Sequence, residues 1–319
     1  MLSHTGLRNP IGLYRIVFKR WRVLVESQHP KLIRFTKLFC DHPDRVGCLW
    51  VEPLNPALNI IIKAARRASQ IINRASHDLD HLKVTTKRQS DFVTEVDRAA
   101  EAAIIEVLRE AYPDYGILAE ESGHAAGEGA GCEYQWIIDP LDGTTNYIHG
   151  IFPSSVSIAL VEKNIPVVGV VYEMGLNEMF TAWKGGPALL NGQPIHTGTA
   201  SKPEDALIGT GFPYYDFERL ENYIDVLRHL MRTTRGLRRM GSAAVDLCYV
   251  AAGRFDGFFE HALHAWDVAA GALIVRQAGG IVTDFNGDDN WLFRGEIIAA
   301  STPFYPEFYG VVNRHLGKR

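Results

Sequence analysis

The segment WIIDPLDGTTNYIHG, residues 136 to 150, runs as an apolar strand straight into two acids. Such a strand belongs in a sheet core, so the fold must bring its end to a place that tolerates two negative charges. WIID delivers Asp139 at its C-terminal end, Pro140 lacks an amide donor and fixes the turn, and Asp142 returns a second carboxylate to the same side. As turn former or helix cap, one Asp before GTTNY would suffice, and the second is surplus charge. The carbonyl of Leu141 adds a third oxygen, the donor type that Mg2+ or Ca2+ prefers over thiolate or imidazole. Gly143 and Thr144 then open a helix whose amides could hold a phosphate oxygen.

Three further acidic stretches have the same character. LAEESG sets Glu120 and Glu121 side by side at the end of a short strand, where they repel unless a cation or solvent relieves them. HAWDVAAG puts Asp267 at a helix start, where its plainest role is an N-cap. DFVTEVD places Asp97 inside a helix, where a lone acid is usually exposed. Together these clusters suggest a two-metal site, which suits phosphate ester hydrolysis because cations clamp both attacking and leaving oxygens. His261 and His264 in EHALHAWD stand three apart rather than at the zincin spacing, so zinc is not expected; His264 is instead placed at the rim of the pocket.

With 319 residues, 46% of them hydrophobic, the chain can bury a large core. A net charge of -4 hides an asymmetry: residues 1–52 carry nine Lys/Arg against four Asp/Glu, and the remainder is acidic. We expect 1–52 to be a basic extension outside the catalytic fold and 53–319 to be the catalytic domain. The stretch GLYRIVFKRWRVLVESQ could form a membrane-surface helix or an organelle-type presequence. The domain proper opens at Asn55, a candidate cap, with Pro56 at the first helical position and Ile61, Ala65, Ala68 and Ile72 at helical spacing. Strands bunch in the middle and helices cluster at both ends, which predicts an α+β fold of mixed α/β layers. Four scattered cysteines read as reduced thiols, and no run reaches the roughly eighteen apolar residues of a membrane span, so the expected location is cytoplasmic. The glycines of GHAAGEGAGCEY neither follow a long strand nor lead into a helix, and read as a loop rather than a dinucleotide site.

DPLDGTTNYIHGIFPSSVSIAL resembles the first signature of the inositol monophosphatase family, in its bacterial inositol-1-monophosphatase and extragenic suppressor branch. WDVAAGALIVRQAGG resembles the second signature, and LAEESG and the run from Lys87 through Asp91 to Asp97 match in order and spacing. The resemblance spans roughly residues 55 to 315. It implies a layered αβαβα sandwich and a phosphatase using two to three Mg2+ per site and activated water. Glu120, Asp139 and the Leu141 carbonyl would hold the first Mg2+. Asp139, Asp142 and Asp267 would hold the second, with Asp139 bridging the two; a third, looser ion would lean on Glu120 through water. Thr144, oriented by Asp97, would position the attacking water, and Lys87 and Glu121 would support the site. The amides of Gly143 and Thr144 would bind phosphate, while Gly241, Ser242, Ala243, Glu260 and Asp267 would meet the substrate.

The resemblance also implies lithium sensitivity and a homodimer. Relatives acting on adenosine bisphosphates carry a DPIDGTKGF-like motif, whereas Thr145-Asn146-Tyr147 and Phe152-Pro153 stand here, favouring an inositol phosphate monoester as small-molecule substrate. Fructose-1,6-bisphosphatase and histidinol-phosphatase activities stay open. So does a non-catalytic role as a partner of the transcription machinery in antitermination and ribosomal RNA synthesis.

Overall fold

The computed structural model describes residues 55–76, 95–212 and 217–318 with their side chains, and residues 13–18, 21–29, 32–40, 84–88 and 91–94 as backbone strands. The chain divides into two units, Met1–Asn55 and Pro56–Arg319.

In the first unit, β1 (Leu13–Phe18), β2 (Trp21–His29) and β3 (Leu32–Cys40) pair antiparallel in sequence order. The surface helix considered for this stretch is therefore not what forms. Runs such as LYRIVF and LIRFTKLFC are rich in β-branched and aromatic residues, which favour a pleated strand over a helix.

The second unit opens with α1 (Pro56–Ala75), the hairpin β4 (Val84–Arg88) and β5 (Asp91–Thr94), and α2 (Glu95–Ala111). The expected helical face of α1 is buried through Ile61, Ala65, Ala68 and Ile72. Next come β6 (Gly116–Ala119), β7 (Gly123–Ala125), β8 (Tyr134–Asp142), the single-turn α3 (Thr144–Ile148), β9 (Ser155–Glu162), β10 (Ile165–Glu173), β11 (Glu178–Trp183), β12 (Leu189–Leu190) and β13 (Gln193–Pro194). These eight strands form one sheet in the order β13-β12-β11-β10-β9-β8-β6-β7. The β9–β10 turn has Lys163 and Asn164 at φ 50° and 65°, the doubly left-handed geometry whose twist suits a two-residue hairpin.

A five-stranded sheet follows, with order β15-β14-β16-β18-β17. Its elements are β14 (Leu207–Thr210), α4 (Leu220–Thr233), β15 (Gly236–Arg238), α5 (Ala243–Ala251), β16 (Gly257–His261), α6 (Ala265–Gln277), β17 (Gly280–Thr283), α7 (Trp291–Arg294), β18 (Glu296–Ser301) and α8 (Tyr305–Leu316). Of these, β14, β15, β17, α7 and α8 are not marked in the sequence. The strands are too short to establish a period, and α8 begins on Tyr305-Pro306, which reads locally as a turn.

Strand alternation sorts the core into layers. Ile138, Ile158 and Val170 face α1 and α2, while Ile137, Ala159 and Val171 face the opposite way, onto α5 and α6. On the second sheet Phe258, Ile297 and Ala299 join that same middle layer, and Phe259, Ile298 and Ala300 face α4 and α8. The result is helices, sheet, helices, sheet, helices, the five layers expected. α6 fits against the first sheet because β10 carries Gly169, where a Cβ would stand 3.1 Å from the Ala270 Cα.

Candidate metal and phosphate site

Both acids of the opening segment lie at the end of β8, and their shared orientation has a backbone cause. Asp139 pairs with Ser157 and Asp142 with Ser155, so β8 spends three steps where β9 spends two. In regular pleating, residues an odd number apart point to opposite faces. The extra residue, a β-bulge at Pro140-Leu141, cancels that alternation and turns both carboxylates the same way. Proline fits there because a bulge leaves an amide out of the ladder.

Asp267 completes the group from α6: the three carboxylates bring ligand oxygens within 4.8 Å of one another. Asp267 is not the helix cap. His264 holds that position, and Asp267, at the third helical residue, accepts from the His264 N–H at 2.6 Å, which aims its carboxylate. The His264 ring stacks on Trp266 with centroids 4.7 Å apart and is half exposed beside the cluster.

Asp142 is held by the Ser242 hydroxyl at 2.6 Å and the Ala244 amide at 2.8 Å. Ser242 caps α5, and Ala243 is that helix's first residue. Glu120 follows β6, which runs parallel beside β8 in a register that pairs Ala119 with Ile138. Its backbone N–H donates to the Ile138 carbonyl at 3.2 Å, leaving Glu120 next to Asp139 in the sheet.

Burial, reinforced by Glu120, Asp142 and Asp267, pushes the Asp139 carboxyl well above the usual range, against a bond from the Leu141 amide. Asp142 is pushed up to about 7, by burial first and Asp267 second, although Ser242 and the Ala244 and Ala243 amides oppose the shift. Burial likewise raises Glu260, at the end of β16, to about 8, with Arg239 opposing and Asp267 and Asp142 adding to it. An all-oxygen cluster in which Asp139 and Asp142 resist ionisation fits hard divalent cations, which would restore the charge to those two carboxylates.

Asp97 is 1% exposed, not the surface acid a lone helical Asp suggests. Its Oδ1 accepts from Thr144 Oγ1 at 3.1 Å, and the same hydroxyl lies 2.9 Å from the Leu141 carbonyl. Glu121 donates its backbone N–H to Glu101 of α2, as does Ser122, both at 2.8 Å. Glu101 fixes the turn behind Glu120 and was not read from the sequence, where it is one more acid on a helix. Asn146 was also missed: its amide donates to the carbonyls of Pro153 and Met240, each at 2.8 Å, tying α3 to the loop before α5. Gly143 has φ 88°, and a Cβ there would meet the Pro153 oxygen at 2.9 Å and the Gly241 oxygen at 3.2 Å, so only glycine fits between the two loops. Lys87 and Asp91 lie on β4 and β5, and their side chains fall outside the described residues.

A five-layer α/β fold gathers an acidic triad, Asp139 buried and Asp142 and Asp267 half-buried, whose oxygens could hold a metal ion, and this defines a class of α/β protein with an all-carboxylate candidate metal site. The chain belongs to the inositol monophosphatase family, which it matches over residues 54–317. It is 46% identical over 265 residues to the Nus factor SuhB of Pseudomonas aeruginosa, covering 82% of this chain and 98% of that protein. Among solved structures, the extragenic suppressor protein suhB of Bartonella henselae superposes with a TM-score of 0.79 at 38% identity, over 82% of this chain and all of that one. The Thermotoga maritima IMPase gives 0.74 at 34% identity, over 82% and 98% respectively. Among the described residues, no helix is long and apolar enough to cross a membrane.

Proposed function

We propose that this chain is a Mg2+-dependent phosphomonoesterase acting on inositol monophosphate or a related polyol or sugar phosphate. The observation that carries the reading is the convergence of Asp139, Asp142 and Asp267 within 4.8 Å. Glu120, Asp139, Asp142, Asp267 and the Leu141 carbonyl would hold two to three Mg2+, which when bound supply charge to the phosphate oxygens and acidify water.

The chain's own groups do the positioning. The Thr144 proton is directed to Asp97 or to the Leu141 carbonyl, so the oxygen offers a lone pair that can accept from an attacking water. As the new P–O bond forms and the ester P–O bond breaks, the water's proton passes through Thr144 to Asp97. The leaving alkoxide takes its proton from solvent. The Gly143 and Thr144 amides receive phosphate oxygens, and Gly241, Ser242, Ala243 and Glu260 line the polyol side. Glu121 and Lys87 would support the site, as the family resemblance implies. No nucleophilic Ser or Cys is needed in this scheme, so no phosphoenzyme forms.

The test is phosphate release from a panel of polyol, sugar and nucleotide monophosphates with and without Mg2+. Inositol monophosphate should be turned over only with the metal; a trapped phosphoenzyme, or metal-independent turnover, would refute the scheme. Lithium inhibition, a homodimer and a cytoplasmic location accompany this reading. A second reading is favoured by the relatives at 46% identity that bear the name Nus factor SuhB: the chain would bind transcription machinery. Binding that survives in an Asp139→Asn variant would separate that role from hydrolysis.

A further inference from the structure

Glu260 faces a residue with no side chain. Gly211 directly follows β14, and a Cβ built on it would stand 1.8 Å from Glu260 Oε1, 1.9 Å from the carboxyl carbon and 2.3 Å from Oε2. Its φ is not in the left-handed region, so the backbone there would accept alanine. A methyl group at Gly211 would have to displace the Glu260 carboxylate.

A buried latch holds the two strand ends that form this slot. β14 and β16 run parallel, with Thr210 paired to Phe259, the residue before Glu260. Tyr223 of α4, 1% exposed, donates its hydroxyl proton to the Gly211 carbonyl at 2.8 Å and lies 2.7 Å from Thr210 Oγ1. Thr210 Oγ1 also reaches the Phe259 carbonyl at 2.9 Å. The Tyr223 ring packs on Phe259 at 4.9 Å and edge-on to His261 at 5.2 Å, bracketing Glu260 from both sides in sequence.

We propose that Gly211 is a specificity-determining position and Tyr223 a positioning residue: together they seat the Glu260 carboxylate in one place, where it accepts from the hydroxyls of a cyclic polyol. The proposal rests on the reading of Glu260 as a polyol contact. A carboxylate held by close packing loses little freedom on binding, and displacing it leaves substrate hydroxyls without an acceptor in a desolvated pocket. Groups that lack those hydroxyls should not sense the slot.

The experiment compares Gly211→Ala, Glu260→Ala, the double variant and Tyr223→Phe. It measures melting temperature and, at saturating Mg2+, turnover of inositol monophosphate and of phenyl phosphate. Gly211→Ala should lower kcat/KM for inositol monophosphate about tenfold, chiefly through KM, and leave phenyl phosphate unchanged. It should also lower the melting temperature by about 2–4 °C in the parent and not at all in the Glu260→Ala background, because the clash is then gone. Tyr223→Phe should shift KM in the same direction by a smaller factor. Equal melting losses with and without Glu260 would overturn the slot whatever the activity. Equal losses on both substrates would overturn the specificity role. A parent that hydrolyses phenyl phosphate but no polyol phosphate would refute the polyol reading and that role with it, while the melting comparison still decides the slot.

Discussion

The Ser242 hydroxyl donates to Asp142 Oδ2 at 2.6 Å across one hundred residues of sequence, joining the N-cap of α5 to the end of β8. A carboxylate raised to about 7 by burial first and Asp267 second is thus held in place by a helix start from the second half of the chain.

Ser242→Ala removes both the cap and that donor. We expect a stability loss of about 1–2 kcal/mol and a further rise of the Asp142 pKa, because the bonds from Ser242 and the α5 amides stabilise the ionised form. Mg2+ titration should show weaker binding than in the parent. Unchanged Mg2+ affinity would mean that Ser242 is a cap and nothing more.

Asp139→Asn should cost at least roughly a thousandfold in rate, several kcal/mol of transition-state stabilisation at about 1.4 kcal/mol per tenfold. The fold should survive, since a buried carboxyl with three acidic neighbours is replaced by a neutral isostere. Steady-state rates at saturating Mg2+ check this, and activity within tenfold of the parent would end the bridging role.

The raised carboxyls set a pH dependence whose sign is fixed. Asp142 folds from an ordinary carboxylate value near about 4 to about 7, and Glu260 from about 4.3 to about 8. The folded chain therefore holds more protons than the unfolded one between those values. The stabilisation is full below about pH 4 and is lost as pH rises through 7 and then 8. In chelator, a variant with Asp142→Asn and Glu260→Gln should gain melting temperature relative to the parent between pH 5 and 8.5. Added Mg2+ should close that gap by stabilising the parent at the upper end. A difference that stays flat with pH contradicts the assignment.

Residues 53–319 alone should melt near the full chain and release phosphate at the same Mg2+-dependent rate. The contacts divide at Asn55, and every motif of the site lies beyond residue 85. An insoluble or inactive fragment would show that the basic segment belongs to the fold.

Much of the site was legible because its signals are local. WIID, LAEESG and HAWD each end an apolar run on an acid, and that chemistry survives in a linear reading. Glu101 and Asn146 were not legible: nothing beside them in sequence marks one acid on α2, or one amide in α3, as the brace of a distant loop. The burial of Asp97 is not marked by its neighbours in sequence either; only the family resemblance pairs it with Thr144, whose hydroxyl lies 3.1 Å from it.

The amino-acid sequence by itself determined the acidic strand ends, the start of α1 and the family resemblance, since these depend on residues within a few positions of one another. The same-side placement of Asp139 and Asp142 was expected from the turn, but tertiary structure alone decided that a β-bulge against β9 achieves it, and alone decided the bond from Ser242 and the glycine slot at Glu260. Those depend on register and close packing between segments far apart in the chain, where a shift of a single residue reverses the face a side chain occupies.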